Sequence, residues 1–207
     1  ASNPGKIYLD VVSLFPETWK DRPNGLRIDL AEKVAYLKPT FVRFPGGCFV
    51  EGDTLANAFR WKNTIGDIAE RPGHWNLWGY RTTDGLGYHE FLQWCEDLGA
   101  EPLFVVNCGM SHNENASLDN MEEWIQDALD AIEYANGPVT SKWGALRAAN
   151  GHPEPYNLKF IEIGNENNFN YNEYIKRYPL FYNAIKEKYP EITIIANCNI
   201  PGQPIEV

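Results

Sequence analysis

Apolar and polar positions follow two different periods along this chain, and segments of the two kinds alternate. Runs that alternate in period two, or are apolar throughout, predict strands at residues 6–15, 40–45, 101–109, 158–164 and 191–200. Apolar residues three and four apart predict helices at residues 26–38, 85–99, 119–137 and 172–189. Strands and helices that alternate at this spacing are typical of β/α units built on a parallel sheet.

Local signals predict where several of these helices begin or end. Gly99 follows the second helix and is placed to cap it, and Gly137 ends the third. Asp119 and Glu122 have the spacing of a capping box at the start of the third helix. Pro179 lies inside the fourth, where it should start a fresh helix or kink the one before it. A polar loop is expected between the third helix and the strand that begins at residue 158.

Two architectures suit buried parallel strands, a doubly wound sheet and a (β/α)8 barrel. No G-x-G-x-x-G follows the first strand, so a dinucleotide-binding fold lacks its main support. Polar residues gather where strands finish, at 43–47, 107–109 and 165–167, and barrels build their active sites at that edge. Because a barrel needs eight strands in about 250 residues, we expect part of a barrel from a larger protein, with an open sheet as the alternative.

Composition narrows the class of partner. The chain has 207 residues and a formal net charge of −10. Proteins bind phosphate backbones through clustered Lys and Arg, so this charge argues against a nucleic-acid partner. No apolar run approaches the roughly 20 residues of a membrane helix, and the N-terminal residues lack the apolar segment of a signal peptide. We therefore expect no nucleic-acid partner and no membrane partner.

The spacing of cysteines and histidines points to no metal or cofactor. The four cysteines are far apart and include no C-x-x-C pair, which predicts free, mostly buried thiols rather than a disulfide. None of the four histidines has an H-x-x-x-H or acidic partner at metal spacing, so neither a metal site nor a cofactor is predicted. His112, in the loop after a strand, either approaches a ligand or is merely solvated.

Glu166 is the foremost candidate for chemistry, because it follows a strand end and stands beside Asn165. Retaining glycosidases use two carboxyl groups roughly 5 Å apart, one as nucleophile and the other as acid/base. Glu166 is either such an acid/base or one polar residue of an ordinary strand end. Arg43 either reaches a sugar or carboxylate or pairs with an acidic neighbour, and Glu162 either supports the site or points into the barrel.

A long loop rich in aromatic residues, from residue 46 to about residue 82, also has two interpretations. Its members Trp61, Trp75, Trp78 and Tyr80 either form a platform for sugar rings or pack on one another.

Three segments of the chain carry a family resemblance when they are taken together. They are VSLFPETWKDRPNGLRIDLAEKVAYLKPTFVRFPGGCFVEGDTL, RWKNTIGDIAERPGHWNLWGYRTTDGLGYHEFLQWCEDLGAEPLFVVNCG and FIEIGNEN. In this order and spacing, from about residue 8 to residue 205, the chain resembles the α-L-arabinofuranosidases of glycoside hydrolase family 51. The resemblance implies a (β/α)8 barrel whose acid/base is Glu166, with Asn165 contacting the sugar 2-hydroxyl. It also implies substrate-binding positions at Arg43, at Cys48, where many relatives have Asn, and at Glu51.

The resemblance further implies that one of the family's two catalytic carboxylates has no counterpart here. The family's nucleophile is a Glu on barrel strand seven, well over a hundred residues after the acid/base, so the nucleophile is expected to be missing. Residues 1–16 resemble the closing strand of an accessory jelly-roll module or a first strand, and residues 17–207 a partial catalytic barrel with strands two to five. We predict that this chain alone is hydrolytically inactive.

The implied activity is retaining hydrolysis of terminal non-reducing α-L-arabinofuranosyl residues from arabinoxylan or arabinan. The implied partners are plant cell-wall polysaccharide or arabino-oligosaccharide and the remainder of a parent polypeptide, and this substrate class implies a secreted or periplasmic enzyme. Three alternatives stay open: a clan-related β-glycanase, a non-catalytic carbohydrate-binding fragment that depends on Trp75 or Trp78, and a structural fragment with no function of its own.

Overall fold

The computed structural model of this chain describes residues 5–9, 12 and 14–202. The strands are β1 (Phe41–Phe44), β2 (His74–Trp75), β3 (Arg81–Thr82), β4 (Glu101–Val106), β5 (Phe160–Ile163) and β6 (Thr193–Ala196). The α-helices are α1 (Ile28–Tyr36), α2 (Gly47–Glu51), α3 (Tyr88–Leu98), α4 (Glu122–Asn136), α5 (Lys142–Ala149) and α6 (Tyr171–Lys188). Short 3-10 helices occupy Trp19–Asp21, Leu55–Asn57, Trp61–Thr64, Ile68–Glu70, Leu118–Asn120 and Asn167–Asn170.

Four of the strands form one parallel sheet, in the order β1-β4-β5-β6. The register runs straight across it, since Phe44 pairs with Phe104, Phe104 with Ile161, and Ile161 with Ile194. Helices connect consecutive strands of this sheet, so all four carboxyl ends lie on the same edge. The parallel α/β arrangement predicted from the alternating periods is confirmed.

The hydrophobic core joins the sheet to α3, α4 and α6. Aromatic rings dominate its centre: Tyr88 of α3 lies 4.2 Å from Phe104 of β4 between ring centroids, and Phe44 of β1 stacks on Phe91 at 4.8 Å. Trp61, from the long aromatic loop, is buried in the same core and donates its indole N–H to a backbone oxygen of α4 at 2.9 Å. For Trp61 the structure therefore supports packing rather than a sugar platform.

The predicted capping box at the start of α4 is wrong for a local reason. The first residue of α4 follows Met121, which provides no side-chain cap, and the chain first makes the 3-10 turn Leu118–Asn120. Asp119 lies inside that turn, and the hydroxyl of Ser117 accepts from its backbone N–H at 3.3 Å. The predicted capping box of Asp119 and Glu122 is thus replaced by a cap one turn earlier. The predicted cap at Gly99 is confirmed, with a left-handed φ of 67°.

Helix α6 runs through Pro179 as one element, so of the two outcomes predicted there the fresh helix is wrong, and the kink stays a prediction. Proline removes one backbone donor, yet most of the stability of a helix in a protein comes from the packing of its apolar face. Tyr174, Tyr178, Phe181 and Ile185 supply that face and are all buried.

Helix α5 lies in the segment that the sequence predicts as a polar loop. The hydroxyl of Ser141 caps it by accepting from the backbone N–H of Gly144 at 3.1 Å. Arg147 is fully buried and donates to the backbone oxygens of Tyr134 and Pro153, each at 2.8 Å. Because arginine is a polar residue, the sequence pattern gives no sign that Arg147 lies on the buried face of a helix, and the sequence therefore predicts a loop here.

A strand is predicted over residues 6–15, but the described residues of that segment form no strand. Residues 1–4, 10, 11, 13 and 203–207 lie outside the described residues. Of the rest of that segment, Ile7, Leu9 and Leu14 are exposed. The assignment of residues 1–16 to an accessory module or a first strand stays a prediction.

Apolar side chains of the first β/α unit are exposed although their pattern predicts burial. Leu30 and Leu37 are 53% and 75% exposed, and Phe41 of β1 is 55% exposed, whereas Ala31 of the same stripe is buried. Strands β1 and β6 form the two outer edges of the four-stranded sheet. This apolar surface therefore lies where the sheet of a closed barrel would continue.

Among the described helices, none is long and apolar enough to cross a membrane.

His89 is a buried titratable group that should make folding sensitive to acid. It lies in α3, with its Nδ1 2.9 Å from the hydroxyl of Tyr134, and burial lowers its pKa from 6.5 to about 4. Between these two values the unfolded chain binds a proton and the folded chain does not. The contribution to stability is therefore full above about pH 6.5, falls as the pH drops towards about 4, and totals about 3 kcal/mol.

Urea unfolding at about pH 7 and about pH 4.5 should show this loss. His89→Gln is expected to reduce the difference in unfolding free energy between the two pH values, because glutamine does not titrate. His112→Gln is the control, because His112 is an exposed histidine that lies outside α3. Equal pH dependence in wild type and His89→Gln would contradict the assignment.

Candidate active site

The ends of two strands, β1 and β5, bring polar side chains together at the carboxyl edge of the sheet. Arg43 is on β1, Glu162 is on β5, and Asn165 is the second residue after β5. The guanidinium Nε of Arg43 donates to Glu162 Oε2 at 2.5 Å, and Nη2 donates to Oε1 at 2.8 Å. Nη2 also donates to Asn165 Oδ1 at 3.0 Å. Arg43 therefore pairs with an acidic neighbour and at the same time orients a predicted sugar contact.

The glycine pair after β1 lets the backbone approach this cluster. Gly46 and Gly47 have φ of +58° and +62°, in the left-handed region where glycine is favoured. A Cβ at Gly46 would lie 2.3 Å from Arg43 Nη1. The backbone N–H of Gly47 donates to Asn165 Oδ1 at 3.0 Å, so Asn165 is held from both sides of the β1 turn. The motif R-F-P-G-G thus acts as a unit that fixes Asn165.

Glu166 stands at the end of β5 on a tightly turned segment. Its own φ is +46°, and Gly164 before it has φ +74°. The backbone N–H of Asn165 donates to Asn167 Oδ1 at 3.0 Å, and a Cβ at Gly164 would lie 2.0 Å from that same oxygen. The Glu166 side chain is exposed, and Asn165 Nδ2 lies 3.5 Å from its Oε2. The turn therefore presents a carboxyl group to solvent beside a buried amide.

Asn197, which follows β6, is a site residue that the sequence reasoning missed. Its Oδ1 accepts from the backbone N–H of Asn167 at 3.1 Å, and its Nδ2 donates to Asn167 Oδ1 at 3.0 Å and to the backbone oxygen of Ile163 at 2.9 Å. These bonds tie the turn after β5 to the neighbouring strand. The sequence shows that Asn197 lies near the end of a predicted strand, but it does not show that Asn167 is its partner.

Glu51 is the third carboxyl group at the site, after Glu162 and Glu166, and it is 2% exposed. Asn167 Nδ2 donates to its Oε1 at 3.2 Å, Asn165 Nδ2 lies 3.4 Å from its Oε2, and His112 Nε2 lies 3.2 Å from Oε2. Burial raises the pKa of Glu51 and the charge of Glu166 adds to that rise, while His112 and Asn165 oppose it. The structure thus places Glu51 beside Asn165 and adds His112, and the predicted sugar contact of Glu51 stays a prediction.

Cys48 lies three residues before Glu51 on the short helix α2, on the same side of the helix. It is half-buried, and burial, followed by the charges of Glu51 and Glu166, raises the pKa of its thiol. The loop that carries His112 is attached to the end of α2, because the His112 backbone N–H donates to Gly52 O at 3.1 Å. All five predicted site residues therefore lie in one cluster, and their roles stay predictions.

The remaining candidates lie outside this cluster or only support it. Trp75, on the β2–β3 ribbon, and Trp78 are each about half exposed. Cys108 is buried, its Sγ lies 3.5 Å from Asn167 Oδ1, and burial raises the pKa of its thiol to about 12. All four cysteines are free, as predicted.

Comparison with known proteins identifies the family of this chain. The family described as the alpha-L-arabinofuranosidase 1 domain matches residues 33–206. Alpha-L-arabinofuranosidase 2 of Arabidopsis thaliana is 50% identical over 98% of this chain and 30% of its own length. An extracellular exo-alpha-L-arabinofuranosidase of Streptomyces chartreusis is 45% identical over 91% of this chain and 25% of its own length.

Solved structures show the same likeness. The arabinose-bound structure of MgGH51 α-L-arabinofuranosidase superposes with a TM-score of 0.87 at 43% identity, covering 92% of this chain and 31% of that one. The arabinose complex of the Thermotoga maritima α-L-arabinofuranosidase gives a TM-score of 0.69 at 31% identity, covering 87% of this chain and 35% of that one. The chain thus spans about a third of these relatives. Because the family match takes in residues 33–206, the chain belongs to the α-L-arabinofuranosidases of glycoside hydrolase family 51.

Proposed function

We propose that the full-length polypeptide carrying this chain is a retaining α-L-arabinofuranosidase, with Glu166 as its acid/base. The observation that carries the proposal is the solvent-facing Glu166 at the end of β5, beside Asn165, which Arg43 and Gly47 hold in place. In the first step Glu166 protonates the glycosidic oxygen as it leaves. In the second step it takes a proton from the water that attacks the arabinosyl-enzyme ester.

The nucleophile is assigned to neither of the other two carboxylates in the cluster. Both oxygens of Glu162 are engaged by Arg43, which holds that carboxylate in an ion pair. Glu51 is buried, and contacts to two asparagines and His112 engage its two oxygens. A nucleophile needs a free oxygen aimed at the anomeric carbon, so we assign this role to a carboxylate outside the described residues.

The sugar would be held by the groups around Glu166. The Nδ2 of Asn165 is directed toward Glu166 and Glu51 and is placed to donate to a sugar hydroxyl between them. Cys48 and Glu51 would contact the same sugar from α2. We propose terminal arabinofuranosyl residues of arabinoxylan or arabinan as substrate. A secreted or periplasmic location follows from that substrate class, and the Streptomyces relative is named extracellular.

A carbohydrate-binding role without catalysis is the second candidate, and the half-exposed Trp75 and Trp78 favour it. Exposed aromatic faces can stack on sugar rings. Binding of arabino-oligosaccharide that is lost in Trp75→Ala or Trp78→Ala, but unchanged in Glu166→Gln and Arg43→Met, would favour this role over hydrolysis.

The proposed function is tested by offering the full-length polypeptide an aryl α-L-arabinofuranoside and an aryl β-xyloside. We expect turnover of the first to exceed turnover of the second by at least about a hundredfold, since binding pockets that pair sugar hydroxyls discriminate strongly. The 207-residue chain alone should turn over neither substrate. Preference for the xyloside would support a β-glycanase instead, and turnover by the isolated chain would overturn the assignment of the nucleophile.

A further inference from the structure

Three side chains that can bind a metal converge beside Glu166, although nothing in their linear spacing suggests it. A thiol sulfur of Cys48, a carboxylate oxygen of Glu51 and an imidazole nitrogen of His112 all lie within 4.8 Å of one another. Cys48 and Glu51 come from one turn of α2, and His112 comes from the loop after β4. The sequence-based prediction of no metal site considered spacing along the chain, which cannot detect a cluster made by a helix and a distant loop.

We propose that Cys48, Glu51 and His112 form a zinc-binding site next to the candidate acid/base. Thiolate, imidazole and carboxylate are the ligand types that Zn²⁺ accepts, and three protein ligands leave a fourth position open to water. Binding forms a zinc–sulfur bond and releases the Cys48 thiol proton to solvent. Thiolate and carboxylate together balance the two charges of the ion.

The separations are close to those of a tetrahedral site. Zinc–sulfur bonds of about 2.3 Å and zinc–nitrogen or zinc–oxygen bonds of about 2.1 Å place ligand atoms about 3.4–3.6 Å apart. His112 Nε2 and Glu51 Oε2 are already 3.2 Å apart. Cys48 Sγ lies within 4.8 Å of the other two ligand atoms, so it has to approach them by at most about 1.2 Å to reach tetrahedral spacing.

The surroundings hold two of the ligands in place, as the outer partners of metal ligands do. Asn167 Nδ2 donates to Glu51 Oε1 at 3.2 Å, which leaves Oε2 turned toward His112. The His112 loop is held by its own backbone bond to Gly52 and by Asn113, whose Nδ2 donates to Asp53 Oδ1 at 2.7 Å. The ligands are thus positioned by bonds that do not involve the metal.

A metal ion here would affect the proposed hydrolysis. Cys48 and Glu51 are both predicted sugar contacts, and Asn165 Nδ2 lies 3.4 Å from Glu51 Oε2. Zinc and sugar should therefore exclude each other, so zinc would inhibit the enzyme. This consequence rests on the proposed function, whereas the metal site itself does not.

The test is a titration of the 207-residue chain with Co²⁺, followed by displacement with Zn²⁺. Cobalt bound in a tetrahedral site absorbs in the visible range, and a thiolate ligand adds a charge-transfer band in the near ultraviolet. We expect one Co²⁺ per chain with both signals, and Zn²⁺ should abolish both. Cys48→Ser should lose the charge-transfer band, and His112→Gln should weaken binding by at least about tenfold.

Cys198→Ser is the matched control, because it removes a half-buried thiol that is not part of the cluster. It should bind Co²⁺ as wild type does. Circular dichroism spectra of the variants should match that of wild type, which separates ligand loss from misfolding. The proposal is overturned if folded wild type binds no Co²⁺, if the charge-transfer band survives in Cys48→Ser, or if it disappears in Cys198→Ser.

Discussion

Glu166→Gln in the full-length polypeptide is expected to lower kcat/KM for an arabinofuranoside with a poor leaving group by about two to four orders of magnitude. Glutamine keeps the size of the side chain and its contact with Asn165. It cannot donate a proton to the leaving oxygen or accept one from water. Both halves of the reaction therefore lose their catalyst, and folding should not change, because the Glu166 side chain is exposed.

The size of this loss should depend on the leaving group. An aryl group that leaves readily needs little protonation, so its first step should survive in Glu166→Gln, and the arabinosyl-enzyme should accumulate. Added azide, which attacks without a general base, should then restore turnover. Glu191→Gln makes the same chemical change at an exposed position before β6 and serves as the control. If the two variants lose activity equally, Glu166 is not the acid/base.

Much of the fold could be predicted because its signals are local. The continuous apolar run of β4 and the glycine after α3 each specify their element within a few residues. The elements that sequence reasoning missed or misread depend on distant partners. Arg147 in α5 is satisfied by backbone oxygens outside its helix, and Pro179 is tolerated because the α6 face around it is buried. Neither condition is visible in a window of sequence.

The residues of the candidate site also fall into two groups, those with a local sequence signal and those that depend on distant partners. The motifs R-F-P-G-G and G-N-E-N identified Arg43, Asn165 and Glu166, because glycine-rich turns at strand ends are readable residue by residue. The contact of His112 with Glu51 joins positions 61 residues apart, and the bonds of Asn197 to Asn167 join positions 30 residues apart. Only the parallel register that aligns the strand ends places these side chains together.

Arg71→Met should lower the unfolding free energy of this chain by about 3–5 kcal/mol, the cost of leaving one charge of a buried pair without its partner. The side chains of Arg71 and Glu90 are 1% and 5% exposed. Arg71 Nη2 donates to Glu90 Oε1 at 2.7 Å, and Nη1 donates to Oε2 at 3.0 Å. Nη1 also donates to the backbone oxygen of Asp84 at 2.8 Å, and Nη2 to that of Gly66 at 2.8 Å, so the pair joins the aromatic loop to α3.

Urea unfolding of Arg71→Met measures this loss, and a second change identifies its cause. Glu90 Oε2 also accepts from the backbone N–H of Gly87 at 3.0 Å, at the start of α3. Glu90→Gln keeps an acceptor for that bond and removes the charge, so Arg71→Met combined with Glu90→Gln should be more stable than Arg71→Met alone. Arg27→Met breaks an ion pair whose side chains are 69% and 58% exposed, and it should leave the unfolding midpoint unchanged. If Arg71→Met instead unfolds at the same midpoint as Arg27→Met, the buried pair does not secure the aromatic loop to α3.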